Sequence, residues 1–481
     1  MRRSVTASLV VLSLVPLAGG CTSVAGRGKP APEVAAASAG LALAEVAWRA
    51  SGITPVSPAV GGGGRILVYG AKGAELTLYA LDSRDGRVVW SRAASTSAIT
   101  PGIPWKVVTI GRTAVYLRPA PEWRASLVAV DAAAGRQLWA TPPLIFDQEP
   151  EGCLAGDRNS VCALQREAFD QPPRVAAYRV RDGRTVPPPQ LPTGRWLGDR
   201  IADLGVRDPE MLAGYDTHGR QLWSQPVQEA FGARSSSDGG WTFERYDEAG
   251  LIVGVVGSRP PSEPRFPLTL PTDLGNSAGL RAATGAPAWR APHTNVFCNE
   301  RLILPSSGKP TASKVPVRCR YGGSLVYARA GSPPVVRGGH AIVEGFDLRT
   351  GRSTWRWDAG AGAPLLGPGR WPVRTGQTEV VLPDRAGRPF VVDLRTGRSR
   401  PASAATVGWC PETGSFRLRE PLHGPGGAKI TQRSAGTLYR PCTAAGAKAA
   451  APTTVPADLV AHVGAVAVVA QPTGVVAYRV R

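Results

Sequence analysis

The chain has 481 residues, of which 56 are Lys or Arg and 36 are Asp or Glu, giving a formal net charge of +20. Only seven of the basic residues are Lys, and no basic helix or nucleic-acid motif accompanies the charge, so nucleic acid is excluded as the expected partner. The arginines read as solvated strand and loop residues, or as attraction to anionic lipid headgroups, wall polymers or an acidic protein.

The N-terminus reads as an export signal. Arg2-Arg3 precedes an apolar run from Val5 to Leu17, then Leu17-Ala-Gly-Gly-Cys21. A basic start, a short apolar core and small residues before a cleavage point define a signal peptide over residues 1–20. A Cys directly after those small residues resembles the lipobox of bacterial lipoproteins. That resemblance implies that Cys21 becomes the lipidated N-terminal residue, with Ala18 where Leu is commoner. Residues 21–43 then form the lipidated Cys and a tether rich in Ala, Gly, Ser and Pro. No later run is long and apolar enough to span a bilayer; Ala457–Ala470 is interrupted and reads as inner strands.

From residue 44 to 481 one short pattern recurs. A strand ends in Asp, a glycine turn follows, and Trp comes four residues after the glycine. The clearest copies are Ala80-Leu-Asp82-Ser-Arg-Asp-Gly86-Arg-Val-Val-Trp90, Ala129-Val-Asp131-Ala-Ala-Ala-Gly135-Arg-Gln-Leu-Trp139 and Gly345-Phe-Asp347-Leu-Arg-Thr-Gly351-Arg-Ser-Thr-Trp355. Other copies turn at Gly183, Gly219, Gly285 and Gly397; Trp223 and Trp289 follow two of these, whereas Pro187 and Pro401 replace Trp in the others. The Asp oxygen can accept from amides of the turn, and the Gly can take positive φ. The Trp, on the returning strand, buries a large ring against a neighbouring unit. Repeats of about 40–50 residues, mostly strand, predict an all-β propeller.

The pattern A-x-D-x-x-T-G-x-x-x-W resembles the tryptophan-docking motif of PQQ-like (quinoprotein-type, BamB-like) β-propellers. Seven turns predict seven copies. An eighth half-copy, Val475-Val-Ala477-Tyr-Arg-Val-Arg481, repeats residues 177–181 in its last five letters and stops where the turn should begin. Ala44-Glu-Val-Ala-Trp48-Arg49 supplies the missing strand, so the expectation is eight blades (seven as the alternative) closed by the N- and C-terminal strands. The expected docking residues are Trp48, Trp90, Trp139, Trp223, Trp289 and Trp355.

Six further cysteines, Cys153, Cys162, Cys298, Cys319, Cys410 and Cys442, allow fifteen connectivities. Pairing of neighbours is the economical choice, because each pair lies between consecutive turns, and disulfides suit an exported protein. A metal site is disfavoured: no pair has Cys-x-x-Cys spacing, and no His cluster is near. Insertions are expected near 225–275, 298–319 and 410–456, where the turn spacing lengthens. They are the candidate functional surfaces.

Catalytic candidates are poor. The resemblance implies what a PQQ-dependent dehydrogenase would need: adjacent cysteines, a calcium held by carboxylate and amide oxygens, and an Asp base. No two cysteines are adjacent and no Asp-rich loop occurs. Gly275-Asn-Ser277-Ala-Gly279 fits G-x-S-x-G but overlaps a repeat strand rather than a strand-to-helix turn. His340 and Glu344 do not form H-E-x-x-H, and His218, His293, His423 and His462 are isolated. Gly61–Gly64 lacks the Lys-Ser/Thr of a phosphate loop and reads as a flexible hairpin or link. The expectation is a monomeric, non-enzymatic scaffold without cofactor or metal, lipid-anchored outside the membrane, binding an envelope protein or an anionic wall or lipid component. Alternatives are a sensor of a small anionic ligand or wall polymer and, behind it, a PQQ-dependent dehydrogenase.

Overall fold

The computed structural model describes residues 40–96, 107–153, 159–172, 174–186, 211–215, 221–236, 241–258, 265–296, 298, 315–329, 335–361, 373–423 and 429–481. The signal segment, Cys21 and nearly all of the tether lie outside the described residues, as do Pro187 and His218. The fold is all-β: strands follow one another from Leu41 to Val480, with one short α-helix at Val227–Phe231 and 3-10 turns at Asp247–Ala249 and Ala457–Leu459 among the described residues. No described helix is long and apolar enough to cross a membrane.

The basic unit is a four-stranded antiparallel meander. Val60–Gly62, Arg65–Lys72, Glu75–Asp82 and Val88–Ala94 pair in chain order, and so do Val108–Ile110, Thr113–Pro119, Ala125–Asp131 and Gln137–Ala140. Central strands are buried on both faces because a sheet stacks on either side of them; every residue of Leu251–Val256 is buried. The outer strands are largely solvated, and in Val88–Ala94 only Trp90 and Ala94 are buried. Since successive strands run antiparallel, the connections alternate between two ends of each sheet. The glycine turns, between third and fourth strands, lie at one end (the turn end). The connections between second and third strands lie at the other (the hairpin end).

The tryptophans stitch the sheets in sequence. A Cβ on Gly86 would lie 2.3 Å from the Trp48 ring, and one on Gly135 2.5 Å from Trp90. The same close approach joins Trp139 to Gly183, Trp223 to Gly285, Trp289 to Gly351 and Trp355 to Gly397. These glycines have φ near +70°, so they satisfy the turn and leave room for the indole. Each docked indole N–H except that of Trp355 donates to a carbonyl of the turn it covers; Trp48 donates to Ser83 O at 2.9 Å and Trp90 to Ala132 O at 3.0 Å. Because each Trp sits on the next sheet's turn, the turns share one end of the molecule.

The two termini of the described chain meet. Leu41–Ala50 pairs antiparallel with Gly474–Val480, next to Val466–Gln471 and Ala461–Val463, so Trp48 on the first strand belongs to the last sheet and docks on the first. The repeated pentapeptide takes the same environment twice. Tyr178 and Tyr478 are both buried, and each hydroxyl bonds a buried Gln, Gln165 or Gln471.

Three features depart from the sequence reading. Gly61–Gly64 is a hairpin, as one of the two readings had it, but neither a link nor loose: Val60–Gly62 is an innermost strand paired with Arg65–Leu67 across Gly63-Gly64, and a Cβ at Gly61 would lie 2.7 Å from Val463 and one at Gly62 2.9 Å from Thr109, so only glycine fits between adjacent inner strands. Leu268–Pro271, within the 225–275 insertion, leaves its own sheet and pairs with Ser324–Tyr327 of the next. Pro401 does occupy the strand where Trp was missing, but Trp409 takes over packing there. It is fully buried, donates to Thr454 O at 2.9 Å and meets Tyr478 edge to face, as Trp139 stacks on Tyr178.

Candidate functional site

Of the expected insertions, those near 225–275 and 410–456 give the hairpin end its relief, whereas most of the third, 299–314, lies outside the described residues. The hairpin Val407–His423/Lys429–Thr443 starts beside Arg374, whose backbone bridges Trp409 on one side and Val380 on the other. It reaches the first sheet, where the Gly436 amide donates to Val56 O and Phe416 packs in the cluster of Val56, Tyr69 and Leu76. Cys410–Cys442 ties its base, and Arg440 pairs with Glu412 across it. The hairpin Val317–Tyr327/Val335–Phe346 extends beyond its sheet and is widened by Leu268–Pro271. The other disulfides, Cys153–Cys162 and Cys298–Cys319, each join the connection before a second strand to the start of that strand, Ser160–Arg166 or Val317–Tyr327, and therefore lie toward the turn end.

Exposed aromatic side chains concentrate at the hairpin end. Trp123 (38% exposed), Phe169 (53%) and Phe266 (40%) all lie between the second and third strands of their sheets. Trp123 is held there at a local cost. Glu122 and Trp123 have φ of 59° and 60°, and the Ala120 amide closes the turn onto Arg124 O. A two-residue hairpin turn with both φ positive favours Asn-Gly; L-residues with Cβ cost about 1–2 kcal/mol each in that region. Trp123 thus stands partly exposed on a left-handed turn instead of packing into the core. Phe169 lies against the Arg166 guanidinium at 5.4 Å.

A second cluster was not legible in the sequence. The buried Glu344 carboxylate accepts from Arg318 Nε at 2.8 Å and Ser353 Oγ at 3.0 Å, and pairs with Arg320 and Arg356. Burial works against its charge, but the bonds from Arg318 and Ser353 and the neighbouring guanidinium charges outweigh it and hold the carboxyl below its ordinary range. Arg318 also donates to Gly351 O in the turn on which Trp289 docks. Every strand of that sheet from second to fourth contributes, so the cluster locks the sheet and its turn. Asp147 behaves differently: burial raises its pKa despite Arg166 at 3.1 Å.

The catalytic candidates do not converge. Ser277 is buried in the strand Asn276–Arg281 and donates to Thr294 O at 2.8 Å. His340, on a strand, bonds the Asp358 carboxylate at 3.0 Å, and His293 bonds Asp273. Among the described residues no three or more His, Cys, Asp or Glu side chains gather as metal ligands. The donors do not fit pyrroloquinoline quinone with calcium either. The six described cysteines are bonded to partners 9, 21 and 32 residues away, so no adjacent-cysteine disulfide can cover a quinone ring.

The family model described as "Outer membrane protein assembly factor BamB" matches residues 33–199 and 209–406. The chain belongs to this family. Among solved structures it is similar to BamB from Moraxella catarrhalis at 14% identity, covering 91% of this chain and 100% of that one, with a TM-score of 0.31. It is also similar to the quinohemoprotein alcohol dehydrogenase ADHIIG from Pseudomonas putida HK5 at 14% identity, covering 86% and 76% of the two chains, TM-score 0.31. A third, uncharacterized protein lmo1340 from Listeria monocytogenes EGD-e, is 8% identical over 72% of this chain and 94% of its own, TM-score 0.31. No curated protein matches the sequence.

Proposed function

We propose that this chain is a lipid-anchored, extracytoplasmic propeller of eight blades that acts without enzymatic activity, as a docking scaffold for a protein of the cell envelope. The eight-blade reading takes the 407–443 hairpin as an insertion and the sheet completed by Leu41–Ala50 as the last blade, with Trp48 on Gly86 as the closing joint. The scaffold reading is carried by Trp123, an exposed indole on a left-handed turn at the end where Phe169, Phe266 and the long hairpins also project. Aromatic anchors with a rigid backbone behind them are what protein interfaces concentrate in their centres. A lipid on Cys21 would hold the scaffold near its partner.

A photocrosslinking residue placed at 123, 169 or 266 in cells should trap the same protein, and one at Val88, on an outer strand, should not. Absence of a common adduct from the three aromatic positions would sink the scaffold reading. The anchor is read separately: Cys21→Ser should release the protein from the membrane fraction.

A further inference from the structure

The turn end has its own chemistry. In five described turns an arginine follows the glycine: Arg87, Arg136, Arg184, Arg352 and Arg398. Each is pinned by its backbone, its carbonyl accepting from the amide at the strand end, as Arg87 O does from Asp82 N–H and Arg136 O from Asp131 N–H. All five side chains are exposed, and among the described residues none has a carboxylate partner. The turn aspartates are already engaged: Asp82 by Arg84 and Arg65, Asp347 by Thr350, and Asp393 by the Arg395 amide. Counted over the six described turns (82–87, 131–136, 179–184, 281–286, 347–352 and 393–398), eleven arginines face six aspartates. The five short hairpin tips at the opposite end (72–75, 120–124, 167–172, 384–388 and 471–474) carry four basic residues and five acidic ones. The long hairpins at that end add Arg329, Arg337, Arg417 and Lys429, so the contrast lies between the glycine turns, where unpaired arginines are gathered, and the short tips.

The tether emerges at the turn end. Val480 is the repeat twin of Val180, which opens a glycine turn, and Leu43 pairs with Val480. The nineteen residues 22–40 thus join Cys21 to the turn end. We propose that the turn end is a membrane-docking face, on which the arginines after the turn glycines sit against the anionic headgroups of the bilayer that holds the Cys21 lipid. This deepens, and rests on, the anchored-propeller reading. It leaves the aromatic end facing away from the membrane toward a partner.

The test uses the unlipidated Cys21→Ser chain and co-sedimentation with vesicles. Binding is expected to phosphatidylcholine vesicles containing phosphatidylglycerol, and to be lost with phosphatidylcholine alone or in high salt. At about fivefold per arginine near the surface, Arg136→Gln/Arg184→Gln/Arg352→Gln should weaken binding roughly 100-fold. Lys72→Gln/Arg337→Gln/Arg385→Gln, which removes equal charge from the hairpin end, should leave it within a few-fold. Equal losses from both triples, or no preference for the anionic vesicles, would overturn the proposal. So would tighter binding to soluble poly(glycerol phosphate) than to vesicles, which would assign the face to a wall polymer. Mass analysis of the wild-type chain from cells reports the anchor independently: an unmodified Cys21 would remove the anchored reading, while the vesicle series would still decide whether the arginine face prefers anionic lipid.

Discussion

Gly86→Ala should damage the joint between the first strand and the first sheet, and its cost can be divided into two parts. The glycine has φ +74°, and an added Cβ would meet Trp48 at 2.3 Å. The backbone part costs about 1–2 kcal/mol for an L-residue in the left-handed region. Overpacking against a buried ring adds about 1–3 kcal/mol, for a total of roughly 2–5 kcal/mol. Gly73 offers the control, because it has φ +61° and a methyl added there would have nothing within 4 Å; Gly73→Ala should cost the backbone part alone. Trp48→Ala should itself cost about 3–5 kcal/mol. In that background Gly86→Ala should fall to the Gly73→Ala value, a coupling of about 1–3 kcal/mol. Urea unfolding of the four variants measures these differences. If Gly86→Ala costs no more than Gly73→Ala, or if the two joint substitutions add, the packing of Trp48 on Gly86 is not what holds the joint.

Glu344→Gln should destabilise by about 3–5 kcal/mol, since it leaves Arg318 buried without its anion. Because the carboxyl pKa is lowered in the fold, the stability it supplies is present above the ordinary Glu value of about 4.3 and is lost as pH falls through the lowered folded value. The difference between wild-type and variant urea midpoints should therefore shrink on acidification. Replacing Cys410 and Cys442 by Ser opens a loop with a sequence separation of 32 and should lower stability by about 3–4 kcal/mol, with earlier protease cleavage in the 407–443 hairpin. Glu122→Asn with Trp123→Gly should raise the unfolding midpoint by relieving about 1–2 kcal/mol per residue, yet abolish the crosslink to the partner formed from positions 169 and 266. Trp409→Ala should cost about 3–5 kcal/mol, as much as loss of a motif tryptophan, which thermal or urea unfolding beside Trp90→Ala would measure.

The repeat was readable because its parts are local. Asp131, Gly135 and Trp139 lie within nine residues, so turn chemistry and strand alternation alone bring the indole to the sheet's outer strand. Trp409 escaped the same reading because it lies eight residues beyond Pro401, outside the motif spacing. Glu344 looked like one end of a failed metal motif with His340. Its real partners come from strands at 318–320 and 353–356, whose contact only the sheet creates. Nothing in Pro121-Glu-Trp-Arg124 resembles a favoured hairpin turn, so the left-handed pair and its exposed indole had no local signal.

By itself the sequence determined the all-β class, the spacing of the glycine turns, the tryptophans that dock on them, and the likeness of residues 177–181 to 477–481. Each follows from short-range backbone preferences and from the need to bury a large ring. The tertiary structure decided which carbonyl each indole meets, that Gly61 and Gly62 form an inner strand where no Cβ fits, and that Leu268–Pro271 joins a neighbouring sheet. It also gathered the glycine turns, with the arginines that follow them, at one end and Trp123, Phe169 and Phe266 at the other. That division is invisible in linear order, because antiparallel strands send alternate connections to opposite ends, and residues far apart in the chain become neighbours on one surface.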